Sequence, residues 1–299
     1  MSGRAAGSGS AGVLDVLPGA DRPAPVTIDA DVLRNEHLGD RYWKMSVYAP
    51  HVARAYRPGQ FVMLTVTRSV RSGPVLPRPM AIYDADPDSG RVDVVYSVVG
   101  AGTQALTSFA PRETVGLVGP LGCGFRPPGG DLLLLGRGIG TCSLTPLARL
   151  NGQRTHRHHP GGPATEVHPD EVRGSVTAVA SGRHPGAVLG REVYAAHGAN
   201  VLAVHDGDGS SDPAVLEPRL RDLLDGSPPA LIAACGSARL EALALRLGAV
   251  WGADVQVALE AHMACGLGYC HGCSTGDRSA AAEAPLICRD GPVFRLRAA

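Results

Sequence analysis

Between Val26 and about Phe125 the apolar residues come in short, β-rich runs: Tyr42 to Tyr48, Phe61 to Val66, Met80 to Tyr83, Val92 to Val99 and Val115 to Val118. Turn-forming phrases separate them, Arg57-Pro58-Gly59 and Asp86-Pro87-Asp88-Ser89-Gly90 among others. Short strands punctuated in this way predict a small antiparallel β barrel over residues 26–126. Beyond the Pro127-Pro128-Gly129-Gly130 linker the period changes. Leu132 to Leu135 is a continuous apolar run, as a parallel strand buried on both faces requires. Further runs follow at Val176 to Ala180, Val201 to Val204 and Leu231 to Ala234, with helical stretches at Ala214 to Leu224 and Ala238 to Leu247. Strands alternating with helices predict a doubly wound parallel-sheet nucleotide domain over 127–255, with its ligand edge at the C-terminal ends of the strands.

Two stretches carry no such pattern. Residues 1–25 are small, polar and Pro-rich and lack the apolar core of a signal peptide, so they read as a disordered tail. Residues 151–173 are polar and rich in Pro and Gly, and cannot give the helix that begins near Leu144 an apolar face. They read as an irregular insertion, and its His156, His158 and His159 as a solvated loop with no Cys or carboxylate at metal-site spacing.

Composition narrows the function classes. The 299 residues suffice for two or three units with their own cores. A formal net charge of zero and 4% aromatic residues give no electrostatic or stacking basis for nucleic-acid binding. No apolar run approaches the roughly 18 residues of a membrane span, and a reduced cytoplasmic setting fits best.

The chemistry concentrates near the C-terminus. Four of the seven cysteines, Cys265, Cys270, Cys273 and Cys288, have four, two and fourteen residues between them, the spacing of plant-type [2Fe–2S] ligation. A two-iron rhomb needs four thiolates and a loop that wraps closely enough to aim N–H groups at its sulfurs. Gly266, Gly268 and Gly272 permit that wrap. A structural zinc site, which usually draws on two C-x2-C-like pairs, and a disulfide framework are the alternatives. Residues 256–299 are thus expected to form a [2Fe–2S] loop domain. A second motif is Gly136-Arg137-Gly138-Ile139-Gly140 after the first apolar strand, a strand-to-helix turn of the kind that lets a pyrophosphate approach backbone N–H groups. The turn Cys235-Gly236-Ser237 closes the Leu231 to Ala234 strand.

Arg57-Pro58-Gly59-Gln60-Phe61-Val62 followed by Arg78-Pro79-Met80-Ala81-Ile82-Tyr83 resembles the flavin-binding barrel of the ferredoxin–NADP reductase superfamily. The resemblance implies that FAD lies against Arg78, Pro79, Met80 and Ala81, with Arg78 on its pyrophosphate. It also implies that Val95, Tyr96 and Ser97 and then Gly102 and Thr103 form a second flavin segment. Ala81 stands where that superfamily usually has a hydroxyl near flavin N5. Gly138 and Gly140 are implied for NAD, with Cys235 and Gly236 near the nicotinamide, although Arg137 and Ser143 replace a usual glycine and proline.

A barrel, a nucleotide sheet and the stretch Leu259 to Cys273, in that order, resemble the electron-transfer subunits of NAD-dependent dihydroorotate dehydrogenases. That likeness implies an oxidoreductase subunit of pyrimidine biosynthesis. Its cofactors would be FAD, a [2Fe–2S] cluster and NAD(H), and its partner an FMN-containing catalytic dehydrogenase subunit in a heterotetramer. Two other readings stay open: a reductase subunit for a different oxidoreductase partner, and a non-catalytic cluster-bearing module whose NAD half has decayed.

Overall fold

The computed structural model describes residues 12–18, 22–66, 76–152, 174–276 and 283–299. Six strands form the barrel: β2 (Val26–Gly39), β3 (Tyr42–Tyr48), β4 (Phe61–Thr65), β5 (Arg78–Asp86), β6 (Arg91–Ser97) and β7 (Thr114–Leu121). They close antiparallel in the order β2-β3-β6-β5-β4-β7, with β7 returning to β2. Met45, Val47, Val62, Leu64, Ile82, Val92 and Val94 fill the interior. Two short helices accompany it, α1 (Pro50–Ala55) and α2 (Ala101–Leu106).

The second sheet has seven strands. Running from one edge, they are β10 (Asn200–His205), β9 (Val176–Gly182), β8 (Leu132–Arg137), β11 (Leu231–Cys235), β12 (Asp254–Ala258), β13 (Val293–Arg297) and β1 (Val13–Val16). The first five are parallel, β13 runs antiparallel to β12, and β1 antiparallel to β13. In chain order the parallel strands stand 3-2-1-4-5, the doubly wound arrangement, whose crevice opens where the order reverses beside β8. Alternate residues of β8 serve opposite faces. Leu133 and Leu135 meet α5 (Pro213–Leu224) and α6 (Ala238–Trp251) through Leu216, Leu220, Leu243 and Leu247. Leu132 and Leu134 meet Leu144, Leu147 and Tyr194, from the side of α3 (Thr145–Gly152) and α4 (Arg191–Ala196).

The barrel-plus-parallel-sheet fold class expected from the pattern is the one observed. The reading of 1–25 as a uniform disordered tail is corrected by β1: Val13–Val16 pairs with Phe294–Arg297, and Leu14 and Leu17 are buried. The cluster-loop domain is also not separate from the sheet, because the chain leaves it at β12 and re-enters at β13. Most of the irregular insertion, with His156, His158 and His159, lies outside the described residues. Among the described residues no helix is long and apolar enough to cross a membrane.

The two halves are joined beside the crevice. The Thr145 hydroxyl donates to the Tyr83 carbonyl of β5 at 2.8 Å. Arg149 of α3 pairs with Asp84 and donates to the Ala85 carbonyl.

Candidate functional site

A cleft of about 320 Å³ lies between β5, β6 and the segment after β12. Of the residues expected around a flavin, Arg78, Pro79, Met80, Ala81, Val95, Tyr96, Ser97 and Thr103 all border it. Strand alternation decides what each presents. Met80 and Tyr96 belong to the barrel core, and the Tyr96 hydroxyl donates to Asn35 Oδ1 at 3.1 Å. Asn35 in turn donates to the Leu106 and Phe109 carbonyls at the end of α2. The Met80 and Tyr96 side chains therefore shape the cleft from behind and offer it only backbone. Pro79, Ala81, Val95 and Ser97 lie on the opposite register, toward the cleft. The Ser97 hydroxyl is buried there without a hydrogen-bond partner, a polar atom awaiting a polar guest.

Gly102 lies against the Arg78 side chain. An added Cβ would run into the Arg78 guanidinium, so only glycine lets that planar cation lie over the start of α2. The guanidinium also donates to the Leu76 carbonyl. Thr103 differs from expectation. Its hydroxyl accepts from Val99 N at 2.9 Å and Gly100 N at 3.2 Å and donates to the Gly100 carbonyl at 3.1 Å. With donor and acceptors all committed to the turn, Thr103 holds the loop shape instead of offering a hydroxyl to a cofactor. Thr103→Val is expected to cost about 1 kcal/mol of stability, measured by chemical denaturation, while the cleft residues stay in place.

A second, more polar cleft of about 430 Å³ opens at the C-terminal ends of the parallel strands. Gly138 and Gly236 line it with Arg137, Gly182, Arg183 and His184, and the β2–β3 hairpin contributes Asp40, Arg41 and Tyr42. Gly140 packs where an added Cβ would sit 2.7 Å from the Gly236 Cα, so the two turns meet backbone to backbone. Residues 138–143 form a 3₁₀ turn ahead of α3. Arg137 crosses the strand ends to Asp206, with contacts of 3.0 and 2.6 Å, and reaches Ser181 Oγ at 3.1 Å. Those hydrogen bonds, with one from Ser211, hold the Asp206 carboxyl far below the usual range. Cys235 is not on the cleft wall. Its thiol is fully buried, and burial, then the Glu260 charge, push it well above the ordinary thiol value, with Ser143 partly opposing.

The four cysteines of the C-terminal motif converge in two pairs. The Cys265 and Cys270 thiols hydrogen-bond, as do those of Cys273 and Cys288. Leu267 N donates to Cys265 Sγ at 3.4 Å and Cys288 N to Cys273 Sγ at 3.4 Å. Desolvation works upward on Cys265, yet the N–H groups of Leu267, Cys270 and Tyr269 and the Cys270 thiol bring it down to about 6. Burial, followed by the Cys273 thiol, drives Cys288 the other way, to about 12. Among the described residues no three donors are gathered as one metal ion needs. Four thiols ringed by N–H groups instead suit a two-iron cluster, which Cys265, Cys270, Cys273 and Cys288 would hold. Cys273 and Cys288 are buried, whereas Cys270 and its neighbour Tyr269 are exposed. Gly266 seats the loop against the barrel, since a Cβ there would strike Met63.

Sequence reasoning missed the residues that long-range topology supplies: the Asp40–Tyr42 hairpin, Arg183, His184 and Asp206. It also passed over Glu260, although that residue opens the cysteine motif. Two residues border both clefts, Ile139 and Glu260, and only Glu260 of the two is ionisable.

Residues 260–298 match the family described as the iron–sulfur cluster binding domain of dihydroorotate dehydrogenase B. The electron transfer subunit of dihydroorotate dehydrogenase B (NAD(+)) from Geobacillus thermodenitrificans is 31% identical over 271 residues, covering 88% of this chain and 95% of the relative. Its counterpart from Bacillus caldolyticus is 30% identical, covering 86% and 92%. Among solved structures, an NADH-dependent reduced ferredoxin–NADP oxidoreductase superposes with a TM-score of 0.68 at 22% identity, covering 90% of this chain and 88% of that one. A ferredoxin NADP+ reductase from Neisseria gonorrhoeae superposes with a TM-score of 0.54 at 14% identity, covering 76% and 92%. At those identities the structural likenesses speak for the fold alone.

Proposed function

Because the chain belongs to the family of dihydroorotate dehydrogenase B electron transfer subunits, we propose that it links a catalytic dihydroorotate-oxidising subunit to NAD through a [2Fe–2S] cluster and FAD. The observation that carries this reading is the meeting of the three parts. The segment that leaves the sheet at β12 lines the flavin cleft with Glu260 to Met263, and within two further residues enters the thiol loop.

Cys265, Cys270, Cys273 and Cys288 would hold the cluster, and Arg78, Gly102, Ala81, Val95 and Ser97 would hold FAD. Bound together, these groups supply one-electron carriage on one side and hydride chemistry on the other, which is why NAD can be paired with a distant oxidation. The chain's own contribution is placement. The Arg149–Asp84 and Thr145–Tyr83 contacts fix the nucleotide crevice against the flavin strand, and the exposed Cys270–Tyr269 edge leaves the cluster loop open to a partner. The finer assignments are a partner subunit containing FMN, a heterotetramer and a cytoplasmic setting within pyrimidine biosynthesis.

Purified without air, the protein is expected to show flavin and cluster absorption that NADH bleaches. It is also expected to co-elute with the catalytic subunit and then reduce NAD at the expense of dihydroorotate. A cluster spectrum without flavin would favour the non-catalytic module instead.

Gly138, Gly140 and Gly236 would admit the NAD pyrophosphate, and Arg137 bears on it through Asp206. Replacing Arg137 by Gly restores the family's usual residue but leaves Asp206 only the longer 3.4 Å contact with Arg239, so more of its charge faces incoming phosphates. Arg137→Gly is therefore expected to weaken NADH binding several-fold, and adding Asp206→Asn to recover most of the loss. Titration of flavin bleaching by NADH measures both.

A further inference from the structure

Glu260 stands at the junction of the two clefts, on the wall of each. It makes no hydrogen bond or ion pair with any described residue, and burial alone sets its departure from ordinary behaviour. The residue as a whole is exposed, while the protein packed around its carboxyl desolvates it and raises its proton affinity. Ala81, on the same cleft, offers no hydroxyl. The charged and titratable side chains on the clefts it borders are Arg78 and His262 in the first and Asp40, Arg41, Arg137, Arg183 and His184 in the second, and its charge bears on the buried Cys142 and Cys235 thiols.

Resting on the electron-transfer reading above, we propose that Glu260 is the proton donor to the flavin when electrons arrive from the cluster. Two electrons arriving singly bring no proton, yet a hydride can leave for NAD only if a proton has joined the flavin at N5. Glu260 breaks its O–H bond, keeps the electron pair as carboxylate and is reprotonated from water at the cleft mouth. The balance is two electrons in from the cluster, one proton in from water by way of Glu260, and one hydride out to NAD. In the opposite direction NADH delivers proton and electrons together as hydride, so Glu260 has no part in that step and accepts the proton only afterwards, as the electrons leave for the cluster.

This asymmetry is the test, carried out on the full chain. The absorption spectrum of the wild-type protein comes first: absence of flavin or cluster bands would overturn the electron-transfer reading itself. With both present, Glu260→Gln is expected to slow flavin reduction ten-fold or more when an external photoreductant feeds the cluster, at or below the contribution of about 10²–10⁴ usual for a positioned acid. Stopped-flow reduction by NADH should change less than two-fold. A transient loss of a protonated-carboxyl infrared band during cluster-fed reduction should be seen in the wild type and be missing in the variant. Glu260→Asp should restore part of the rate. Equal slowing of both half-reactions, slowing of neither, or the same split in His262→Gln would each overturn the assignment.

Discussion

Cys288→Ala is expected to yield protein with FAD but without the [2Fe–2S] cluster, or with a converted one. Iron and sulfide analysis beside the visible spectrum reads this directly. Thiolate is the required ligand, and no other thiol can substitute, because Cys123 is turned to the Arg289 carbonyl and Cys142 and Cys235 are buried behind the flavin cleft. Cys273→Ala should behave in the same way, since each of these sulfurs is the other's neighbour. The effect should be confined to electron traffic. The sheet closes above and below the loop, so flavin bleaching by NADH should persist while transfer to an external one-electron acceptor that draws on the cluster fails. Unchanged iron and sulfide in either variant would remove that residue from the ligand set.

The second large effect is on FAD. Arg78→Ala should weaken FAD binding by one to two orders of magnitude, the equivalent of about 1.5–3 kcal/mol for a charge-assisted contact. Arg78→Lys should recover only part, because an ammonium keeps the charge but loses the planar fork. Gly102→Ala offers an independent route to the same outcome, as its Cβ would displace the guanidinium. FAD retention through dilute gel filtration ranks the three, and full occupancy in Arg78→Ala would count against the pyrophosphate role.

These site predictions rest on motifs, and the fold shows where motif reading ends. Leu132 to Leu135 was legible because a strand covered on both faces must be apolar throughout. β2 was not, because of its fourteen residues only Ala30 and Val32 are buried, so its charged, outward surface hides the strand. β12 and β13 are five residues each and flank the loudest motif in the chain, which drew them into a separate unit when their pairing belongs to the sheet. The cysteines announced themselves through spacing and the flavin residues through order. Which face each would show was not readable without register: Tyr96 and Met80 turn inward, and Thr103 spends its hydroxyl on its own turn. Asp206 lies 69 residues from Arg137, a distance over which only topology brings residues together.

The strand β1 has a bearing on solubility. Without it, β13 would be the rim of a seven-stranded sheet reduced to six, with a row of unpaired N–H and C=O groups along Phe294–Arg297. Such a rim is a template for joining another chain edge to edge. As it stands, the outermost strand is only four residues long, pinned by Leu14 beneath and by the Asp15–Arg297 ion pair on its flank. A short, charged border is poor material for further strand addition, so this small N-terminal strand acts as a guard against self-association.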